Sequence, residues 1–359
     1  MSRIRVLIVD DSALARKILS SGLSGDPDIE IIGTARDPLA AQKILAKTRP
    51  DVIVLDIEMP RMDGVTFLRQ YMPVDPIPTV VVSALTERDK KITLEALEAG
   101  AVDVVLKPKI GVVDRLPLLM TDIRERIKAA AQVKISPRAL NSYQKATPPM
   151  EIDEPAVVST EKIIAIGASA GGVKALTSII PAFPAAAPGI VVTQHMPAGF
   201  TSTFASRLNN LAAMQVKEAE HGDRVRPGLV LLAPGGDRHM EVHRSGSEYR
   251  VALVAGEKVS GHRPSVDVLF YSMARYVGRN AAAALLTGMG ADGARGLKAI
   301  REAGGRTFAQ DETTSVVFGM PREAWKIGAA EKLVPLERIP AELLAALKYG
   351  QPRRKKSVD

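Results

Sequence analysis

Two blocks of short apolar runs alternating with amphipathic helical patterns, separated by a proline-rich stretch without period, constrain the fold of this chain most. In the first block the runs are Ile4–Val9, Ile29–Ala35, Val52–Ile57, Thr79–Ser83 and Val102–Leu106. Helical patterns such as Ala13–Leu23, Leu39–Lys47 and Glu87–Ala99 lie between them. Runs that are apolar throughout, linked by helices, predict a parallel sheet buried on both faces. In the second block the runs are Ile163–Gly167, Gly189–His195, Gln215–Ala219, Leu229–Ala233, Arg250–Val254, Ala281–Thr287, Arg306–Gln310 and Lys332–Pro335. Helical patterns there include Phe200–Asn209, Ser265–Gly278, Gly293–Ala303 and Pro340–Lys348. This predicts a second, doubly wound α/β domain with hairpin-like strands inserted between Gln215 and Val254. The chain thus divides into residues 1–128, a linker at 129–160 and a domain at 161–350. Pro137, Pro148, Pro149 and Pro155 make the linker an extended, semi-flexible connector.

Composition removes several classes of function. The chain has no cysteine, so disulfides, thiolate nucleophiles and Cys-ligated metals are excluded, which suits a reducing, cytoplasmic setting. MSRIRVLIVDD reaches acidic residues after one strand's worth of apolar positions and lacks the apolar core of a signal peptide. No apolar run is long enough for membrane insertion. The net charge of +8 owes part to Arg353, Arg354, Lys355 and Lys356. With aromatics at 4% and no basic recognition helix, nucleic acid is not an expected partner.

Ligands collect at the carboxyl ends of strands in parallel sheets. In the first block those ends carry Asp10 and Asp11, Asp56, Ser83 and Lys107. Three carboxylates brought together repel unless a cation joins them, and an all-oxygen set suits Mg²⁺. A metal-flanked Asp beside a Lys and a hydroxyl can accept a phosphoryl group. Asp11 is also expected to cap the first helix.

The motifs VDDS (Val9–Ser12), LDIEMPRMDG (Leu55–Gly64), VVSAL and Lys107–Pro108 resemble those of response-regulator receiver domains over nearly all of residues 1–125. The resemblance implies a flavodoxin-like, five-stranded parallel fold with Asp56 as phosphoacceptor. It also implies that Asp10, Asp11, Asp56 and the Glu58 carbonyl hold Mg²⁺, and that Ser83 and Lys107 contact the phosphoryl group. Many receivers carry an aromatic two residues into the last strand; here that position is Val104. Coupling is therefore expected to travel through Ser83 and backbone shifts.

In the second block, IIAIGASAGG (Ile163–Gly172) reads as a buried strand turning sharply into a helix. Gly167-x-Ser169-x-Gly171 matches the spacing of a nucleophile elbow, and equally that of a glycine loop in which Ser169 caps a helix or cradles phosphate. Two more strand-to-helix junctions carry chemistry: His195 in QHMP, and Asp292 in LLTGMGADGARG, where Asp292 either serves His195 or caps its own helix. On one sheet edge these loops predict a relay in which Asp292 orients His195 and His195 takes the Ser169 proton. His221, His239, His243 and His262 are rivals for the base. His239 and His243 share a strand face, but no third metal ligand accompanies them. The backbone N–H of Met289 is the preferred oxyanion donor, with that of Ala170 second. The alternative is a nucleotide-binding regulatory protein. It would need glycine where Ser169 stands and an acidic residue after Gly189–His195.

The succession of receiver, linker, GASAGG, QHMP, TGMGADGA and AQDETTSVVFGMP resembles the CheB family of chemotaxis protein-glutamate methylesterases. That resemblance implies a Ser169–His195–Asp292 triad, with no cofactor in this domain. It implies hydrolysis of glutamate methyl esters on chemoreceptor cytoplasmic helices and deamidation of certain receptor glutamines. In the family an unphosphorylated receiver covers the active-site cleft, and a histidine kinase, as phosphodonor, relieves the block.

Overall fold

The structure is a computed structural model that describes residues 3–83, 86–106, 116–135 and 161–347. It divides into two compact units, residues 1–141 and 142–359.

The first unit runs β1 (Ile4–Val9), α1 (Ala13–Ser24), β2 (Ile29–Ala35), α2 (Pro38–Leu45), β3 (Val52–Asp56), α3 (Gly64–Tyr71), β4 (Thr79–Ser83), α4 (Glu87–Glu98), β5 (Asp103–Leu106) and α5 (Leu116–Ala130). Its five strands are parallel in the order β2-β1-β3-β4-β5. Every residue of β3 and β4 is buried, as a sheet covered on both faces requires. One expectation fails by a residue. Ser12, not Asp11, caps α1, its hydroxyl accepting the Ala15 N–H at 3.3 Å. Asp11 stays exposed at the strand end, available to the acidic cluster. Val104 is buried in β5.

The second unit begins with β6 (Ile163–Ala168), α6 (Gly172–Ile179), β7 (Gly189–Gln194) and α7 (Thr201–Leu211). Four strands follow: β8 (Gln215–Glu218), β9 (Arg224–Val225), β10 (Leu229–Leu232) and β11 (Arg238–Ser245). Then come β12 (Glu248–Ala255), α8 (Val266–Tyr276), β13 (Ala281–Leu285), α9 (Ala294–Glu302), β14 (Arg306–Gln310), α10 (Met320–Lys326), β15 (Lys332–Val334) and α11 (Ile339–Ala346). Seven strands form a wholly parallel sheet in the order β15-β14-β13-β6-β7-β10-β8. The chain builds outward from β6 on one side, then returns to lay β13 on the other. The order therefore reverses between β6 and β13, and a crevice opens there at the carboxyl ends.

The hairpin insertion is present but placed differently from expectation. Gln215–Glu218 and Leu229–Leu232 join the parallel sheet, while β11 and β12 pair antiparallel and β9 adds to β12. Alternating polarity in HMEVH marks β11 as half-exposed, whereas the uninterrupted LVLL of β10 marks a strand buried throughout. β13 is Ala281–Leu285, AAAAL, with no exposed surface. Its small side chains let the flanking helices approach the sheet beside the crevice. Among the described residues no helix is long and apolar enough to cross a membrane.

Candidate active site

In the second unit the loops after β6, β7 and β13 meet at the crevice. The Ser169 hydroxyl lies 3.1 Å from His195 Nδ1, and His195 Nε2 lies 2.7 Å from Asp292 Oδ2. A carboxylate can only accept, so Nε2 carries the proton given to Asp292 and Nδ1 accepts from Ser169. The three residues that sequence spacing singled out thus form one continuous hydrogen-bonded line.

Local backbone explains the placement of Ser169. Among the described residues only Arg61 and Ser260 are non-glycines with positive φ, so Ser169 is not the strained residue of an elbow. The turn is made instead by Gly171 at φ 77°, where a Cβ would also stand 2.7 Å from the Val316 side chain. Gly288 brings the TGMG loop against Ser169: a Cβ there would sit 2.8 Å from Ser169 Cβ. The buried Thr287 hydroxyl donates to the Ala170 carbonyl at 2.9 Å and accepts the Val317 N–H at 2.9 Å. That joins this loop to the SVVFGMP segment.

Asp292 does not cap its own helix; Gly293 precedes α9 with no side-chain cap. Its carboxylate reaches across to α8, accepting from the Ser265 hydroxyl at 2.8 Å, Val266 N–H at 2.7 Å and Asp267 N–H at 3.1 Å. Only 1% of Asp292 is exposed. Burial works to raise its pKa, but His195, the Val266 N–H and the Ser265 hydroxyl together hold it below the usual carboxylate range. Asp292 is accordingly an anion held at the positive end of α8. Neighbouring Asp267 is pushed up, chiefly by burial.

Sequence reasoning missed several supporting groups. The Gln194 amide donates to the carbonyls of Ser169 at 2.9 Å and His195 at 3.0 Å, tying the Ser169 loop to the His195 loop. Its place in QHMP was the available signal. Ser265 reads only as the start of its own helical pattern, and His262 stands in an aperiodic loop, so neither pointed to Asp292 or His195. The His262 ring stacks on His195 with centroids 3.7 Å apart and planes 12° apart.

The other rivals for the base are occupied elsewhere. His221 Nδ1 accepts the Leu253 N–H at 3.2 Å, His239 bonds only backbone groups through both nitrogens, and His243 pairs with Glu241 at 2.6 Å. The Ser169 N–H donates to the Thr287 carbonyl and the Gly288 N–H to the Val317 carbonyl. Neither Met289 nor Ala170 shows such a backbone N–H bond among the described residues.

Family models match both units: the CheB methylesterase model covers residues 164–343, and that of the response regulator receiver domain covers 6–115. The chain belongs to the CheB methylesterase family. It is 52% identical to "Protein-glutamate methylesterase/protein-glutamine glutaminase 2" of Pseudomonas aeruginosa, over 95% of this chain and 96% of that protein. It is 51% identical to "Protein-glutamate methylesterase/protein-glutamine glutaminase" of Syntrophotalea carbinolica, over 96% and 98% respectively. The crystal structure of the Thermotoga maritima CheB methylesterase catalytic domain matches with a TM-score of 0.50 at 40% identity, over 51% of this chain and 97% of that one.

In the first unit of this CheB-family chain, Asp10, Asp11 and Asp56 place carboxylate oxygens within 4.8 Å of one another. Asp10 and Asp56 are buried and Asp11 is exposed. Asp10 Oδ1 accepts the Ser12 N–H at 2.9 Å and Asp56 Oδ1 the Ile57 N–H at 2.8 Å, which fixes both side chains. Glu58 is drawn toward α4 by Arg88 at 3.7 Å. Ser83, at the end of β4, accepts from the Thr93 hydroxyl of α4 at 2.7 Å, a partner the sequence did not suggest. Lys107 and its Pro108 lie outside the described residues, as do most of the linker and the basic tail.

Proposed function

We propose that this chain is a phosphorylation-activated hydrolase that removes methyl esters from glutamate side chains of chemoreceptor helices and deamidates specific receptor glutamines. The observation that carries the reading is the Ser169–His195–Asp292 line at the sheet's reversal point. Ser169 Oγ attacks the ester carbonyl carbon while His195 Nδ1 takes its proton. The oxygen that becomes negative is met by the N–H groups of Met289 and Ala170. His195 returns the proton to the leaving methoxide, so methanol departs and an acyl-serine remains. Water then attacks under the same base, freeing the glutamate carboxylate and restoring Ser169. A glutamine side chain follows the same course with ammonia as the leaving group.

The receiver unit supplies regulation. Asp56 is the proposed phosphoacceptor, Ser83 and Lys107 the groups that contact the phosphoryl oxygens, and a histidine kinase the donor. The all-oxygen set of Asp10, Asp11, Asp56 and the Glu58 carbonyl fits Mg²⁺ in donor chemistry. When bound there, the ion neutralises charge on the transferring phosphoryl group. The nucleotide-binding alternative leaves the His195–Asp292 pair without a task.

The deciding measurement is methanol release from methylated receptor, with and without a small phosphodonor. Ser169→Ala should lose hydrolysis while keeping the fold and Asp56 phosphorylation. Full activity in that variant overturns the esterase reading.

A further inference from the structure

Beyond the line of three residues, one loop touches two of its members. Residues 257–265, between β12 and α8, carry His262, whose ring lies against His195, and Ser265, whose hydroxyl and following N–H groups bind Asp292. An aperiodic loop can hold ring and hydroxyl in register only if its own ends are fixed.

One side chain bonds the backbone at both ends, beside Arg263, which donates to the Gly256 carbonyl at 2.6 Å. His239, on β11, is 3% exposed. Its Nε2 lies 2.8 Å from the Glu257 carbonyl and its Nδ1 accepts the Ser265 N–H at 3.1 Å. A carbonyl only accepts and an N–H only donates, so the imidazole is neutral with its proton on Nε2. No aliphatic residue can make either bond, and an Asn amide reaches the place of Nδ1 whereas a Gln amide reaches that of Nε2. With both nitrogens spent on backbone, His239 is not available as a metal ligand.

We propose that His239 is a positioning residue for the hydrolytic site: it staples the two ends of the 257–265 loop so that Ser265 holds Asp292 and His262 holds the plane of His195. This rests on the esterase reading above. His239 touches no member of the line itself; it acts through the loop. An error of about 1 Å in such an assembly costs on the order of 100-fold in rate.

The test uses the full-length protein in three variants. His239→Leu removes both bonds, His239→Gln keeps a donor toward Glu257, and His239→Asn keeps an acceptor toward Ser265. The expected result is a loss in kcat of roughly 10- to 100-fold for Leu with KM little changed, and a smaller loss for Asn than for Gln. The low-field proton resonance of the His195–Asp292 bond should shift or broaden in the same order. A double-mutant cycle of His239→Asn with Ser265→Ala should be non-additive, because both changes act on Asp292. Should the Leu variant fail to fold, the Asn and Gln variants with the cycle decide. Wild-type kcat with an unchanged resonance in a folded Leu variant, or strict additivity, overturns the proposal. The resonance is read without substrate, so it still judges His239 if Ser169→Ala retains activity and the esterase reading itself fails.

Discussion

Asp292 meets His195 through Nε2, at 2.7 Å, which leaves Nδ1 to face Ser169. The more familiar serine-hydrolase arrangement is the reverse, with Nε2 toward the serine. The relay needs one nitrogen to donate to the carboxylate and the other to accept from the hydroxyl; which is which follows from the direction of approach. Here His195 enters from the loop after β7 and Asp292 from the loop after β13, on opposite sides of the serine loop.

That assignment makes the first prediction. Nitrogen NMR of the resting enzyme should show His195 protonated at Nε2. Asp292→Asn should perturb that tautomer and lower kcat about 10⁴-fold, with KM far less affected. Resting protonation at Nδ1 would contradict the geometry.

Acid stability makes the second. The Asp292 carboxyl is held below its ordinary value of 3.8 despite burial. A carboxyl depressed in the folded state adds stability that is complete above the unfolded value and disappears as pH falls through the folded one. The melting temperature of the wild type should therefore fall more steeply below about pH 4 than that of Asp292→Asn. Parallel melting curves against pH for the two proteins would refute this.

Much of this site was legible because strand ends in parallel sheets share one edge. Asp10, Asp56 and Ser83 stand at the ends of apolar runs in the first unit, and Ser169, His195 and Asp292 at or after such ends in the second, so finding the runs placed each set at its own sheet's edge. Groups that reach the site from elsewhere carried no such mark. Ser265 binds Asp292 from the N-cap of α8, His239 lies on an alternating strand and His262 in the loop before α8, and in none of them does the pattern distinguish a tertiary bond from solvent exposure. Thr93 is one of many polar positions on α4 until its hydroxyl is seen to meet Ser83. The single-residue exchange of cap between Asp11 and Ser12 is finer than any spacing rule resolves. The elbow was read from glycine spacing, yet the positive φ belongs to Gly171 rather than Ser169, a distinction invisible in the string of small residues.

Gly288 supports a third prediction. An alanine Cβ there would lie 2.8 Å from Ser169 Cβ and 2.3 Å from the Met320 sulfur. The thioether end can give way, but Ser169 Cβ is fixed by the serine loop. Gly288→Ala should therefore displace the nucleophile, lowering kcat on the order of 100-fold, and cost about 1–3 kcal/mol of stability from overpacking. Kinetics paired with thermal melting check it. Wild-type turnover would mean that the TGMG loop moves freely away from Ser169.

Phosphorylation supplies the fourth. Asp56, the proposed phosphoacceptor, is buried beside Asp10, and its Oδ1 accepts the Ile57 N–H. An amide at this position keeps the shape but is a far poorer nucleophile than a carboxylate. Asp56→Asn should hydrolyse methylated receptor at the basal rate of the unphosphorylated wild type and gain nothing from a small phosphodonor. Chelation of divalent cations should make the wild type behave likewise, since without a cation the clustered carboxylates repel the incoming phosphoryl group. Asp10→Asn tests the same dependence from the protein side: it removes one of the clustered charges, so the Mg²⁺ concentration for half-maximal stimulation should rise several-fold while basal hydrolysis holds. Stimulation that persists in Asp56→Asn at the wild-type Mg²⁺ requirement would move the phosphorylation site elsewhere in the chain.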